Sequence, residues 1–148
     1  MKIPDANLLL YAVNEDAAQH EKAKAWLKGV LSGSEPVGFD WTVLIAFLRI
    51  STNPRASQRP RSPGEAWGFV EAWLASEVAW VPTPTDNHGR VLEGLIKTHH
   101  ITGKLVNDAD LAALAIEHGL TVISADTDFA RFPEIRWENP IAPQAPRR

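Results

Sequence analysis

The sequence predicts an α/β protein, built as a three-layer α/β/α sandwich around a mainly parallel sheet. Short β-rich runs and helical segments alternate five times along the chain, which is the pattern of a parallel sheet covered by helices. The 148 residues show no internal repeat and no domain boundary, and a chain of this length forms one domain. We therefore expect one domain over residues 1–140, followed by a disordered Pro- and Arg-rich tail over residues 141–148.

The first elements follow from the hydrophobic pattern. Residues 1–5 are predicted to form a strand, and the apolar run over residues 6–13 has helical character. Over residues 20–31, apolar side chains recur at i, i+3, i+4 and i+7, which is the spacing of an amphipathic helix. Residues 37–40 are β-rich and predict a second strand.

The middle of the chain contains the most apolar helix and the longest loop. Residues 42–50 are apolar on nearly every side apart from Arg49, which predicts a central helix. The sequence from Ser51 onward is rich in Pro, Ser and Arg, and this composition predicts a loop. A helix over residues 63–75 and a third strand over residues 78–81 are expected to follow.

Two helices and a strand complete the predicted core. One helix covers residues 86–99, and a second begins near Asp108 and ends at Gly119, just before the β-rich run 120–124. Asp108 precedes the apolar stripe of the second helix by three residues and is expected to face inward. Asp110 lies two positions further on, so it is expected to face water.

Acidic residues directly follow two of the predicted strands. Asp5 ends the first strand, and Asp126 comes just after the strand over residues 120–124. The carboxyl ends of parallel strands share one edge of a sheet, so these two side chains should meet there, with Asp108 leaning over them. Carboxylates at such distances repel one another unless a cation lies between them. Since the chain has no Cys and no His at ligand spacing, the site favours Mg²⁺ or Mn²⁺ over Zn²⁺.

This donor set suits hydrolysis of a nucleic-acid backbone. A Mg²⁺ ion held by few protein groups keeps bound waters, one of which can become a nucleophile while the ion stabilises charge on the phosphodiester. Guanidinium groups can bind the phosphates. The candidates for RNA binding lie within thirteen residues and are Arg49, Arg55, Arg59 and Arg61. The alternative for these arginines is a solvated surface loop.

Each candidate acid also has a purely structural alternative. Asp5 could start the first helix, and Asp108 could complement a helix dipole. Asp126 and Asp128, in the sequence ADTD, could form an Asx-type turn. The expected meeting of three acids at one sheet edge favours the functional interpretation.

Composition limits the class of protein. The net charge of −3 does not suggest a general nucleic-acid coat, although it says little about a local patch. The absence of Cys excludes disulfide and thiolate chemistry and fits a reducing compartment. No apolar run approaches the ~20 residues that span a bilayer, and the N-terminal segment lacks an export signal. We expect a soluble, cytoplasmic protein with no membrane partner.

Four segments of the chain resemble a known family. They are PDANLLLYAV, WTVLIAFLRISTNP, NDADLAALAIEHGLTVISADTDFARF and WENPI, and together they resemble PIN-domain ribonucleases, more closely the VapC toxins of bacterial toxin–antitoxin pairs. The resemblance implies a single PIN-like domain and a Mg²⁺- or Mn²⁺-dependent endoribonuclease. It also implies a protein that is often a homodimer and is inhibited by a small cognate antitoxin.

The resemblance carries roles to individual positions. It implies that Asp5, Asp108 and Asp126 are catalytic residues and metal ligands, with Asp128 as a candidate fourth acid. Asn7 and Ser124 match polar positions that support such ligands.

The sequence departs from the family at one position. Many members carry a Glu three residues before the arginine of the third helix, whereas this chain has Ala46 three residues before Arg49. A methyl group cannot bind a metal, so a single-metal or weakly active enzyme is one implication. Asp40 is a candidate substitute, and its alternative role is the N-cap of the following helix.

Three functions fit the sequence. The preferred one is an endoribonuclease toxin that binds RNA through its arginines and cleaves it at the metal cluster. The second is a PIN-fold binding module that is non-catalytic or weakly active. The third is a phosphatase of the haloacid-dehalogenase type with a nucleophilic Asp5, although that chemistry usually has a second Asp where this chain has Asn7.

Overall fold

The computed structural model describes residues 1–143 and contains a five-stranded sheet with six α-helices in that range. The strands are β1 (Lys2–Pro4), β2 (Val37–Gly38), β3 (Ala79–Trp80), β4 (Thr121–Ile123) and β5 (Arg136–Glu138). The helices are α1 (Ala6–Val13), α2 (His20–Leu31), α3 (Trp41–Ser51), α4 (Pro63–Leu74), α5 (His88–His99) and α6 (Leu105–His118). A short 3₁₀ helix covers Thr127–Arg131.

All five strands are parallel, in the order β3-β2-β1-β4-β5. The chain moves outward from β1 to β3 and then crosses to the other side of β1 for β4 and β5. Because crossovers between parallel strands are right-handed, α1 to α4 cover one face, whereas α5 and α6 cover the other. The helix contacts agree, since α1 packs on α2 and α3 while α5 packs on α6. The predicted three-layer sandwich is confirmed.

The reversal of strand order creates a crevice between the carboxyl ends of β1 and β4. These strands pair in register from Lys2 opposite Thr121 to Pro4 opposite Ile123, and the Asp5 amide donates to the Ile123 carbonyl at 2.8 Å. Ligands of open α/β sheets bind at such a switch point. The strand order therefore brings the turn after β1 next to the turn after β4.

Helix α3 is amphipathic rather than central. Phe47 is fully buried and packs against the Trp73 ring of α4, with ring centroids 4.8 Å apart. On the other side of the helix, Trp41 is 41% exposed and Ile45 is 58% exposed. The prediction of a central helix was wrong because Trp41 and Ile45 are four residues apart and share one solvent-facing side.

The end of the folded region differs slightly from the prediction. Ile141 is 7% exposed and packs in the core, so the folded part reaches one residue beyond residue 140. Strand β5 follows the last strand predicted from the sequence, and the Trp137 indole of this strand donates to the Ser124 carbonyl at 2.9 Å. Residues 144–148 lie outside the described residues, so the disordered tail stays a prediction. Across residues 1–143, no helix combines the length and apolar character of a membrane span.

Replacing Phe47 by Ala is expected to lower the free energy of unfolding by about 3–5 kcal/mol, because the substitution leaves a cavity under α3. Ile45→Ala removes an exposed side chain of the same helix and is expected to change this free energy by less than about 0.5 kcal/mol. Urea denaturation of both variants measures the difference. Equal losses of stability would contradict the orientation of α3.

Candidate functional site

Three carboxylates converge at the carboxyl end of β4. One carboxylate oxygen from each of Asp108, Asp126 and Asp128 lies within 4.8 Å of the other two. Asp108 comes from the first turn of α6, whereas Asp126 and Asp128 come from the turn that starts the 3₁₀ helix. All three residues are half-buried. Within residues 1–143, it is the one group of at least three acidic or histidine side chains whose oxygen or nitrogen atoms are close enough together to share a metal ion.

The turn that carries Asp126 and Asp128 is locally ordered. Asp126 Oδ1 accepts a hydrogen bond from the Asp128 amide at 2.8 Å, and the Asp126 amide donates to Ser124 Oγ at 3.0 Å. Asp126 Oδ2 accepts no hydrogen bond within the described part of the chain. The Asx-type turn expected as a structural alternative is therefore present, and it leaves one Asp126 oxygen available to a cation.

Asp5 lies beside this group and is held by a polar network. It caps α1, because Oδ1 accepts from the Ala6 amide at 2.8 Å, and Oδ2 accepts from Ser124 Oγ at 2.9 Å. Asn7 Nδ2 donates to Ser124 Oγ at 2.9 Å, while Asn7 Oδ1 accepts from the Ala125 amide at 3.2 Å. Asn7 and Ser124 thus tie the turn after β1 to the turn after β4, which fixes Asp5 next to Asp126.

The carboxylates of this site repel one another. Burial, together with the negative charges of Asp5, Asp126 and Asp128, raises the pKa of Asp108 to about 7. Burial also raises the pKa of Asp5, against the opposing effect of its hydrogen bonds. A divalent cation would relieve this repulsion, and carboxylate oxygens are the ligands that Mg²⁺ and Mn²⁺ prefer. The donor set therefore fits a hard divalent cation.

A cleft of about 400 Å³ opens beside Asp5 and Asp108. One wall is α3, which contributes Ile45, Ala46 and Arg49. Ala46 offers only a methyl group to the cleft. Arg49 is exposed, and its guanidinium makes no hydrogen bond or ion pair to any residue from 1 to 143. The cleft thus combines a half-buried acidic end with the unpaired guanidinium of Arg49 on its wall.

A second polar cluster, formed by Asp40, His88, Asp110 and Glu117, lies between α3, α5 and α6. His88 Nε2 is 2.7 Å from Asp110 Oδ1, and His88 Nδ1 contacts the Glu117 carboxylate. Burial lowers the pKa of His88, but the two carboxylates outweigh it and raise this pKa above its ordinary value. The prediction that Asp110 simply faces water was wrong, because α5 packs on α6 and brings His88 against it.

Asp40 belongs to this second cluster. It caps α3, with Oδ1 3.4 Å from the Thr42 amide, and it is only 8% exposed. Burial raises the pKa of Asp40, and the charge of Asp110 raises it further, whereas His88 lowers it. Asp40 lines the same cleft as Asp108, but it is not part of the group of three carboxylates. Its expected alternative role as a helix cap is present.

The loop arginines make contacts within the fold. Arg61 Nη2 donates to the Val13 carbonyl at 2.6 Å, and Arg59 Nε lies 3.5 Å from an Asp16 oxygen. Both contacts are at the C-terminal end of α1, about 12 Å along the helix from Asp5. RNA binding by the loop residues Arg55, Arg59 and Arg61 stays a prediction. Of the four candidate arginines, Arg49 is the one that lines the cleft.

The PIN domain family model matches residues 2–135 of the sequence. The chain belongs to the PIN-domain family. Ribonuclease VapC37 of Mycobacterium tuberculosis is 44% identical over 142 residues, which cover 96% of this PIN-domain chain and 99% of the relative. Ribonuclease VapC33 of the same organism is 36% identical over 141 residues, which cover 95% of this chain and 99% of the relative. The resemblance to VapC toxins is confirmed.

Two solved structures have the same fold as this chain. VapBC2 from Rickettsia felis, bound to a DNA fragment from its promoter, gives a TM-score of 0.65 at 18% identity and covers 93% of this chain and 97% of that chain. VapC20 of Mycobacterium tuberculosis, a Sarcin-Ricin loop cleaving toxin, gives a TM-score of 0.63 at 20% identity. The match covers 92% of this chain and 99% of that chain. Identities this low establish the fold of the present PIN domain and no more.

Replacing Ser124 by Ala is expected to weaken binding of Mn²⁺ by about 10- to 100-fold, as do other losses of groups that orient ligands. The substitution removes the donor to Asp5 and the acceptor for the Asp126 amide. Ser76→Ala is the matched control, because it removes a hydroxyl that donates to the Leu31 carbonyl at 3.1 Å, outside the cleft. Calorimetric titration measures both affinities. If the two variants bind Mn²⁺ equally well, the network around Asp5 does not support the ligands.

Without divalent ions, the protein is expected to lose stability as the pH rises from about 4 to about 7. The Asp108 carboxyl ionises near its ordinary pKa of 3.8 in the unfolded chain but keeps its proton to about 7 in the folded one. The folded state therefore binds more protons in this range, so the free energy of unfolding falls with rising pH. Thermal unfolding in a chelating buffer measures the effect, and Asp108→Asn should flatten the curve. Coincident curves for the two proteins would contradict the raised pKa.

Proposed function

We propose that the protein is a divalent-metal-dependent endoribonuclease that acts as the toxin of a toxin–antitoxin pair. The observation that carries this proposal is the group of half-buried carboxylates from Asp108, Asp126 and Asp128, beside Asp5, at the switch point of the sheet. The relatives that are 36% and 44% identical over nearly their whole length are ribonucleases, which supports the same activity here.

Four acidic residues are the proposed metal ligands. We assign a Mg²⁺ or Mn²⁺ ion to Asp108, Asp126 and Asp128, with Asp5 next to them as a further ligand. When bound, such an ion supplies an activated water and stabilises negative charge on the phosphodiester. Ala46 adds no carboxylate on the opposite wall, so this set of acids supports one ion better than two.

The other groups of the cleft orient the reactants. Hydrogen bonds from the Ala6 amide and Ser124 Oγ hold both oxygens of Asp5 in one orientation. Arg49 has a free guanidinium on the cleft wall, where it is placed to bind a phosphate of the RNA. We propose that Arg49 positions the backbone while the acidic group acts on the bond to be cleaved.

The structure gives less support to the phosphatase alternative. Asn7 donates its amide toward Ser124 and Asp5 and has no proton to give as an acid. The second candidate is a PIN-fold binding module without strong activity, and it is favoured by the methyl group at Ala46.

We also propose the partners of this toxin. RNA is its substrate, and a small cognate antitoxin is its inhibitor. The proposal of an antitoxin partner is supported by two proteins of similar fold, VapBC2 from Rickettsia felis and a toxin–antitoxin complex from Klebsiella pneumoniae. A homodimer is the assembly that we propose for the toxin itself.

The purified protein is expected to open a circular RNA into linear products in the presence of Mg²⁺ or Mn²⁺, and a chelator should abolish cleavage. Asp108→Asn is expected to lower the rate by about 100-fold or more, since it removes a proposed ligand. Asp86→Asn makes the same chemical change at an exposed residue outside the cleft and should retain the native rate. Gel electrophoresis of the RNA measures all three.

The outcomes separate the candidates. RNA that stays circular with the folded native protein and either ion would favour the binding module. Equal rates for Asp108→Asn and the native protein would show that this group of carboxylates does not carry out the cleavage.

A further inference from the structure

An exposed pair of tryptophans includes Trp41, whose chain neighbours Asp40 and Thr42 line the cleft. Trp41 of α3 and Trp67 of α4 stack with their ring planes 14° apart and their centroids 6.4 Å apart. Trp41 is 41% exposed and Trp67 is 48% exposed. Tryptophan has a large apolar surface that is highly buried on average, so two stacked and solvent-facing rings require an explanation beyond the core.

The pair is continuous with the proposed site. Trp41, Ile45 and Arg49 recur every four residues and therefore lie along one side of α3. Ile45 and Arg49 line the cleft that contains Asp108. From Trp41 to Arg49, this side of the helix spans about 12 Å. The two rings, the exposed Ile45 and the free guanidinium of Arg49 thus form one strip along the cleft, which we call the α3 strip.

Charge alone does not explain how an RNA strand would be held here. The cleft is lined by Asp5, Asp40 and Asp108, and the whole protein carries a net charge of −3. Arg59 and Arg61 are engaged at the far end of α1. Attraction that does not depend on charge is therefore needed near the site, and the bases of a single strand can provide it by stacking on aromatic rings.

We propose that Trp41 and Trp67 form a stacking platform for a base of single-stranded RNA, with Arg49 binding a neighbouring phosphate of the same strand. This inference rests on the proposed ribonuclease function and extends it to how the substrate is held. Stacking tolerates any sequence, because every base has a flat aromatic face. The two rings are already stacked on each other, so a base can extend the stack with little ordering of the protein.

The α3 strip alone has too little apolar area to form an interface between two copies of the chain. The exposed parts of Trp41, Trp67 and Ile45 amount to on the order of 300 Å². A stable interface buries about 800 Å² on each partner. One or two bases can instead cover the α3 strip. Its one charged member, Arg49, has the charge opposite to that of a phosphate.

Binding is best measured in the Asp108→Asn protein with a single-stranded RNA of about ten nucleotides and with an abasic oligomer of the same length. Trp67→Leu keeps an apolar side chain but removes the aromatic face. It is expected to weaken RNA binding by about tenfold and to leave binding of the abasic oligomer unchanged, whereas Trp67→Tyr should restore most of the RNA affinity. Arg49→Gln should weaken binding of both oligomers.

Trp26→Leu is the matched control, because Trp26 lies on α2, which does not line the cleft. Its affinity for both oligomers should equal that of the parent protein. Fluorescence anisotropy of labelled oligomers measures the affinities, and sedimentation velocity measures the oligomeric state of each variant.

Three outcomes would overturn the platform. Unchanged RNA affinity in Trp67→Leu, for a native protein that cleaves RNA, removes the platform but leaves the ribonuclease function in place. A loss of RNA affinity that accompanies a change from dimer to monomer assigns the patch to an interface between copies. Failure of the native protein to cleave RNA, together with failure of Asp108→Asn to bind it, removes the proposed function and the platform together.

Discussion

Repulsion between carboxylates is the constraint on which the rest of this structure depends. Pairing of β1 with β4 puts the turn of Asp5 beside that of Asp126, and α6 carries Asp108 to the same place. The result is a carboxyl whose pKa is raised to about 7 by burial and by the charge of its neighbours. Strongly shifted pKa values cluster at functional sites, and a hard divalent cation would relieve the shift.

Helix caps and proposed metal ligands coincide at Asp5 and Asp126. Asp5 caps α1, Asp40 caps α3 and Asp126 starts the 3₁₀ helix. A cap fixes the orientation of the carboxylate, because one oxygen accepts a backbone hydrogen bond. At Asp126 the other oxygen stays available, whereas Ser124 and Asn7 engage the second oxygen of Asp5. At Asp5 and Asp126, the capping role therefore orients the carboxylate and does not compete with the proposed role as a metal ligand.

The sequence was most informative where a local pattern determines position. The alternation of elements predicts the three layers, and an acid directly after a parallel strand must lie at the carboxyl edge of the sheet. Contacts between distant helices could not be predicted in this way. His88 meets Asp110 only because α5 packs on α6, and no local signal connects residues 22 positions apart. The exposure of Trp41 could not be predicted either, since an aromatic residue at helical spacing usually belongs to the core.

The central claim is that the carboxylates of Asp108, Asp126 and Asp128 meet in order to hold one divalent ion. Anomalous scattering from crystals soaked in Mn²⁺ tests this claim most directly. The account predicts one Mn²⁺ peak among these three carboxylates, close to Asp5. A crystal saturated with Mn²⁺ that shows no peak at this position, or a peak only elsewhere on the protein, would contradict it.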